Sequence, residues 1–164
     1  MARSNPERPT NGFTVAPAVD AVPSARRQVV TLAEMLGMKG QDQTLETLKL
    51  LASEVIANAV LHSASPCAVV VTRNDELLRV EVTDNDPTLP SAVAAGPNDE
   101  SGRGLLLVDA LADAWGMQPE PEGKTTWFEI RLECSHESLG DLMRPVKSRT
   151  TSIPAIAGKR HQAA

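Results

Sequence analysis

The spacing of apolar residues predicts three helices. Apolar side chains recur at intervals of three and four between Ala25 and Leu36, and again between Asp42 and His62, as on a helix with one buried face. A third apolar segment, Leu105–Ala112, follows Gly102 and Gly104 and is also predicted to be a helix. The rest of the chain is organised around the second helix.

Five shorter segments are predicted to be strands. Cys67–Arg73 is rich in β-branched residues and Leu77–Thr83 alternates apolar with polar residues, so the two are expected to form an antiparallel hairpin. Lys124–Leu132 is predicted to be the last strand, and Lys124 is expected to lie in the turn that leads into it. Shorter strand signals lie at Phe13–Ala16 and Trp115–Met117.

These elements predict one domain, residues 13–133, between two polar segments. Residues 1–12 are expected to be a disordered arm, and residues 134–164 a disordered, basic tail. Inside the domain, the irregular connection from Asp84 to Ser101 carries three prolines and is predicted to be a lid or a loop.

Charge and cysteine content exclude several functions. The chain has a net charge of −5, and residues 13–133 hold 9 Lys/Arg against 18 Asp/Glu. An acidic domain argues against nucleic-acid binding, which needs a basic surface. The two cysteines lack metal-ligand spacing, and no secretory segment or apolar run of membrane-spanning length is seen. A cytoplasmic protein without a membrane partner is expected.

The second helix carries a line of polar residues that could have a chemical role. Glu54, Asn58 and His62 are four apart, so their side chains lie above one another on one helix face. A carboxylate and a carboxamide in this arrangement can hold a hydrated Mg²⁺ and orient a hydroxyl. Glu54 could equally be a solvated surface carboxylate, and His62 could complement the helix dipole. Asn58 is unfavourable within a helix, which favours a role for it.

Two further features suggest a ligand site. Asp84 ends a strand, and Gly102 and Gly104 precede an apolar helix, whose N-terminal N–H groups could face an anion. Each has a plain structural explanation, because aspartate often starts turns and glycine permits tight ones.

In combination these segments resemble the GHKL ATPases, which include gyrase, heat-shock chaperone, histidine kinase and mismatch-repair ATPase domains. ASEVIANAVLH (52–62) resembles their N box, VEVTDNDPTLP (80–90) their G1 box, and GRGLLLVDALADAWG (102–116) their G2 box. Within the superfamily, the chain is most similar to the small bacterial anti-sigma-factor serine/threonine kinases, especially stand-alone actinobacterial forms. The resemblance covers Phe13 to Leu132.

The resemblance implies an α/β (α+β) sandwich with the Bergerat ATP-binding fold, in which helices cover one face of a mixed, mostly antiparallel sheet. It implies ATP and Mg²⁺ as cofactors. Asn58 would ligate Mg²⁺, and Glu54 would be the catalytic base that takes the proton from a serine hydroxyl. Asp84 would accept a hydrogen bond from the adenine amino group.

Further nucleotide contacts are implied at both ends of the pocket. Gly102, Arg103 and Gly104 would surround the phosphates, with Arg103 adding positive charge. Adenine would be held through water by Thr125 or Thr126, between which the sequence does not decide. The resemblance also implies nucleotide contacts at His62, Asp86 and Leu105. The G1 box departs from the family pattern D-x-G-x-G, because Asp86 and Pro87 replace its first glycine and the following residue.

The expected function is therefore phosphorylation of an anti-anti-sigma partner by an ATP-dependent serine/threonine kinase that could also bind a sigma factor. Members of this family often form homodimers. The altered G1 box supports an alternative, a non-catalytic partner-switching module that binds nucleotide or none. A detached ATPase half of a histidine kinase is ranked last, because no dimerisation helix with a phospho-accepting histidine precedes the domain.

Overall fold

The computed structural model describes residues 11–74, 76–88 and 100–133. The predicted tail, most of the predicted arm and the middle of the predicted lid lie outside these residues. In chain order, the elements are β1 (Asn11–Val15), α1 (Val22–Ala33), α2 (Asp42–His62), β2 (Cys67–Arg73), β3 (Leu77–Asp84), α3 (Glu100–Leu111), β4 (Ala114–Glu120) and β5 (Gly123–Arg131).

The five strands form one sheet in the order β1-β2-β3-β5-β4, and all four pairings are antiparallel. The three helices contribute their buried residues to a single core with one face of this sheet. The predicted α/β sandwich is confirmed. Within the described residues the sheet is antiparallel throughout, rather than mixed as the resemblance implied.

Helix α2 is the central element of the core, and its bounds are those predicted from its apolar spacing. Its sheet-facing side buries residues at intervals of three and four, among them Leu48, Ala52, Val55 and Ile56. Burying a large aliphatic side chain stabilises the fold by about 1.5–3 kcal/mol. The other sides of the helix remain available for polar residues, and two of the chemically interesting ones, Glu54 and Asn58, are half-buried at the edge of the buried face.

A wide helical turn at Glu34–Met38 joins α1 to α2. Gly37 and Gly40 have φ angles of 97° and 86°, a backbone conformation that disfavours residues with a Cβ atom. The Arg73 guanidinium at the end of β2 donates a hydrogen bond to the carbonyl of Leu36. Helix α1 begins three residues before the predicted Ala25 and ends at Ala33, and the wide turn that follows it contains the first of the predicted glycines, Gly37.

The two faces of the sheet differ in chemistry. On the helix-covered face, Phe128 is fully buried, and Trp115 lies opposite it on β4. On the other face, Trp127 is half-buried under the guanidinium of Arg79, 4.0 Å from its ring centroid, and Arg79 also pairs with Glu129 at 2.9 Å. Because these groups are partly solvated, we expect each such contact to contribute at most about 1 kcal/mol.

The bounds of α3 and β4 differ from those predicted. Helix α3 begins at Glu100 rather than at Leu105, so the two glycines lie inside its first turns. Strand β4 continues beyond the predicted Trp115–Met117, through Pro119 to Glu120. Because β4 is the edge of the sheet, the missing N–H of proline interrupts no pairing on its open side. None of the described helices has both the length and the apolarity needed to cross a membrane.

Candidate functional site

A pocket of about 220 Å³ opens between α2 and the ends of three strands. Helix α2 supplies Asn58 and His62, which are four apart and face the pocket as the helical spacing predicts. Asn58 is half-buried and His62 is exposed at the end of the helix. The structure therefore brings together two of the three polar residues on this face of α2 at one cavity.

The base of the pocket is a buried ion pair between two strands. Asp84 on β3 lies directly opposite Lys124 on β5, and cross-strand partners in such a pair project to the same face. The Lys124 Nζ atom donates to Asp84 Oδ1 at 3.1 Å, and the side chains are only 7% and 2% exposed. Sequence reasoning placed Lys124 in a turn. Extending the alternation of β5 back by two residues from Thr126 would have placed it on the pocket face.

Thr126 is the threonine that lines the pocket, next to Asp84 and Lys124. Thr125 is on the opposite face of the sheet, where its hydroxyl is 2.8 Å from that of Thr83 and donates to Glu120 at 3.1 Å. The strand alternation separates the two residues that the sequence left as alternatives.

The pocket walls are largely apolar. Val55 and Ala59 extend from α2, the first about one turn before Asn58 and the second directly after it, and Met117 extends from β4. Sequence reasoning assigned the first two residues to the core and named no function for Met117. Apolar walls around a buried carboxylate are suited to a heteroaromatic ring that carries a hydrogen-bond donor.

The segment after β3 makes its turn without glycine. The Asp86 N–H donates to Asp84 Oδ1 at 2.8 Å, and the Thr88 N–H donates to Asp86 Oδ1 at 3.0 Å. Such side-chain-to-backbone bonds stabilise turns in which aspartate takes part. The hydrogen bond from the Thr88 N–H lowers the pKa of Asp86, with smaller contributions from Lys124 and His62. Asp86 and Thr88 both line the pocket.

Helix α3 packs closely against α2 at Gly104. A methyl group added there would lie 2.8 Å from Glu54 Oε2 and 3.5 Å from Asn58 Nδ2. The glycine therefore allows the start of α3 to pack against the two polar residues of α2. Because the N–H groups at the start of a helix have no helical partners, the N–H of Gly102, the third residue of α3, belongs to this unpaired set.

Glu54 lies between two cavities. It does not line the pocket, but it borders a surface groove with Ser53 and Leu50, and its carboxylate is beside Gly104. One turn further along the helix, Asn58 lines the pocket.

Leu105 is the implied site residue that the structure places in the core, with 5% exposure. Cys67 is also buried, under the end of β3, and its burial together with the negative charge of Asp84 raises the pKa of the thiol. The described residues contain no group of three or more His, Cys, Asp or Glu side chains that could hold a metal ion. Mg²⁺ at Asn58 would take its other ligands from water and phosphate, as it does in many nucleotide sites.

The residues fit a nucleotide bound through its base. A pocket of about 220 Å³ is smaller than a typical site for a whole drug-sized ligand, so it suits the base and leaves the phosphates outside, on the side of Asn58 and the start of α3. This fold and this pocket together are characteristic of ATPase domains of the histidine kinase type.

Comparison with known proteins supports this class. Residues 15–130 match the family described as the histidine kinase-like ATPase domain, and the chain belongs to this family. It is 39% identical over 85 residues to uncharacterized protein SCO4941 of Streptomyces coelicolor, covering 50% of this chain and 71% of that protein. It is 30% identical over 95 residues to the signal transduction histidine-protein kinase AfsQ2 of the same organism, covering 58% of this chain and 16% of the kinase.

Proposed function

We propose that this protein is an ATP- and Mg²⁺-dependent serine/threonine kinase of the anti-sigma-factor type, whose substrate is a serine of an anti-anti-sigma protein. In the other state of the switch it binds a sigma factor. The observation that carries the proposal is the position of Glu54, which borders an open groove while Asn58, one turn away, lines the nucleotide-type pocket.

The chain's own residues have separate tasks in this proposal. Asp84 accepts a hydrogen bond from the adenine amino group, and Thr126 supports the base through water. Asn58 holds the hydrated metal ion, and the first N–H groups of α3 face the phosphates. ATP supplies the phosphoryl group that is transferred.

Glu54 acts as the base. A serine of a protein partner that lies in the groove reaches its carboxylate from outside, and Glu54 takes up the hydroxyl proton. Because Gly104 has no side chain, the start of α3 can lie close to Glu54 and Asn58. A protein substrate suits this geometry because the groove is open to solvent, whereas the pocket lies between α2 and the sheet.

Two measurements test the proposal. Calorimetry should show Mg²⁺-dependent ATP binding by the wild type, with at least a tenfold loss in Asp84→Asn. Labelled phosphate should then appear on serine of purified anti-anti-sigma proteins. Glu54→Gln should keep ATP affinity within about threefold and lose at least 100-fold in transfer rate, since general-base catalysis contributes about 10²–10⁴-fold.

Glu133→Ala is the matched control, because Glu133 is an exposed carboxylate beyond the far end of β5. It should bind and transfer as the wild type does. Full transfer by Glu54→Gln would contradict the assignment of the base.

A second function is supported by the segment after β3. Asp86 and Pro87 stand where the family has its first glycine and the next residue, and side-chain hydrogen bonds shape this turn instead. A partner-switching module without catalysis would keep this rigid turn. ATP binding by the wild type without transfer to any of the tested anti-anti-sigma proteins would favour that function.

A further inference from the structure

Lys124 has no role in the function proposed above, yet it is buried at the base of the pocket. Its side chain is 7% exposed, and lysine is rarely buried unless it is paired. The ammonium group donates to Asp84 Oδ1 at 3.1 Å and to the carbonyl oxygen of Asp86 at 2.9 Å. It also lies 3.8 Å from Asp86 Oδ2. One cation thus bridges the end of β3 and the turn that follows.

The backbone builds this contact. Gly123 precedes Lys124, and a Cβ atom at Gly123 would lie 1.8 Å from the carbonyl oxygen of Asp84. The two strands can approach this closely only because residue 123 has no side chain. Lys124 is therefore held opposite Asp84 by the register of the sheet rather than by chance contact of a long surface side chain.

These contacts leave the two oxygens of Asp84 in different situations. Oδ1 accepts from both Lys124 and the Asp86 N–H. No described residue hydrogen bonds to Oδ2, and Asp84 lines the pocket. The charged groups around Asp84 are Lys124 and Asp86, with the thiol of Cys67 beneath and His62 across the pocket.

Resting on the nucleotide-binding function proposed above, we propose that Lys124 is a positioning residue that makes the pocket specific for 6-aminopurines. Its ammonium holds the buried Asp84 carboxylate in an orientation in which Oδ1 is occupied and Oδ2 faces the base. A charged carboxylate only accepts hydrogen bonds, so it binds an amino group and repels a 6-oxo group. A neutral carboxyl group could also donate a hydrogen bond, and the pocket would then bind a 6-oxopurine as well.

The cation is needed because a buried carboxylate without a partner is costly and takes up a proton instead. Lys124 acts on specificity through Asp84 and not by touching the base. A residue that only braced the fold would change stability without changing the choice between bases.

The test compares ADP with inosine diphosphate, which differs from it by a 6-oxo in place of the 6-amino group. Calorimetry on the wild type should give at least a tenfold preference for ADP, the size expected for a hydrogen bond to a charged group. Lys124→Arg keeps the charge and should keep the preference within about threefold. Lys124→Met should lose at least tenfold in ADP affinity, and its preference should fall to about threefold or less.

Two more variants make the result decisive. Lys124→Gln keeps a hydrogen-bond donor without the charge, so it is the substitute if Lys124→Met does not fold, and it should show the same loss of preference. Lys49→Met removes a lysine that is 42% exposed on α2 and outside the pocket, and should match the wild type.

The outcomes separate the two proposals. Failure of the wild type to bind ADP would overturn the nucleotide-binding function and this inference with it. Binding with an unchanged preference in folded Lys124→Met or Lys124→Gln would overturn the role of Lys124 alone and leave the nucleotide-binding function standing.

Discussion

Gly104 offers a way to disturb the proposed catalytic base without disturbing the fold. In Gly104→Ala, the new methyl group would lie 2.8 Å from Glu54 Oε2, closer than van der Waals contact allows. The nearest atom is the free end of a flexible side chain, so Glu54 can rotate away. An off-rotamer side chain costs about 0.5–1.5 kcal/mol. Alanine within a helix gains about 0.5–1 kcal/mol over glycine.

These two terms nearly cancel, so the free energy of unfolding should stay within about 1 kcal/mol of the wild-type value. Urea denaturation measures it. Transfer should respond much more strongly, because a displacement of about 1 Å at a catalytic group can cost about 100-fold. We expect at least a tenfold fall in phosphate transfer to serine, with ATP affinity reduced less than transfer.

Leu106→Ala is the control, since Leu106 is 65% exposed two residues further along the same helix. This variant should change neither the free energy of unfolding nor the phosphate transfer to serine appreciably. Wild-type transfer by Gly104→Ala at wild-type stability would refute the reasoning that close approach of α3 keeps Glu54 in position.

Two further predictions concern the sheet. Gly123→Ala should be destabilised by about 1–3 kcal/mol or more in urea denaturation, because its Cβ atom meets backbone rather than a mobile side chain. Gly12→Ala, whose nearest atom would be 3.1 Å away, should cost less, and an equal cost would contradict this explanation. Burial raises the pKa of Cys67, so its folded form stays protonated while the unfolded thiol ionises above about pH 8.5. The free energy of unfolding should keep its full value below that pH. Above it, the free energy should fall more steeply with pH in the wild type than in Cys67→Ala. Parallel pH profiles of the two proteins would argue against a buried, protonated thiol.

The sequence predicted best those elements whose burial follows a simple period. The bounds of α2 and β2 were predicted as they stand, because apolar residues recur every three to four positions in one and β-branched residues fill the other. The α/β architecture followed from these patterns together with the resemblance to a known family.

Errors arose where tertiary contacts override local preference. Gly102 and Gly104 favour a helix start at Leu105, yet the close packing on α2 extends the helix back to Glu100. Pro119 favours a turn, yet its place on an edge strand allows β4 to continue.

Within the candidate site, periodicity alone predicted that Asn58 and His62 share a face. The ion pair of Lys124 with Asp84 depends on the register between β3 and β5, which no pattern in either strand reveals. The choice between Thr125 and Thr126 depended on which face of β5 borders the pocket, since neighbouring residues of a strand face opposite sides.

The chain has two tryptophans, and the sheet separates them. The indole N–H of Trp115 donates to Asp109 of α3 at 3.0 Å, and Met117, two residues along the same strand, lines the pocket. Trp127 lies on the opposite face under Arg79. The protein thus contains its own optical reporter: emission from Trp115 follows α3 and the pocket, while emission from Trp127 reports the far face and serves as an internal reference. A Trp127→Phe variant would isolate the first signal and permit nucleotide titrations without a label.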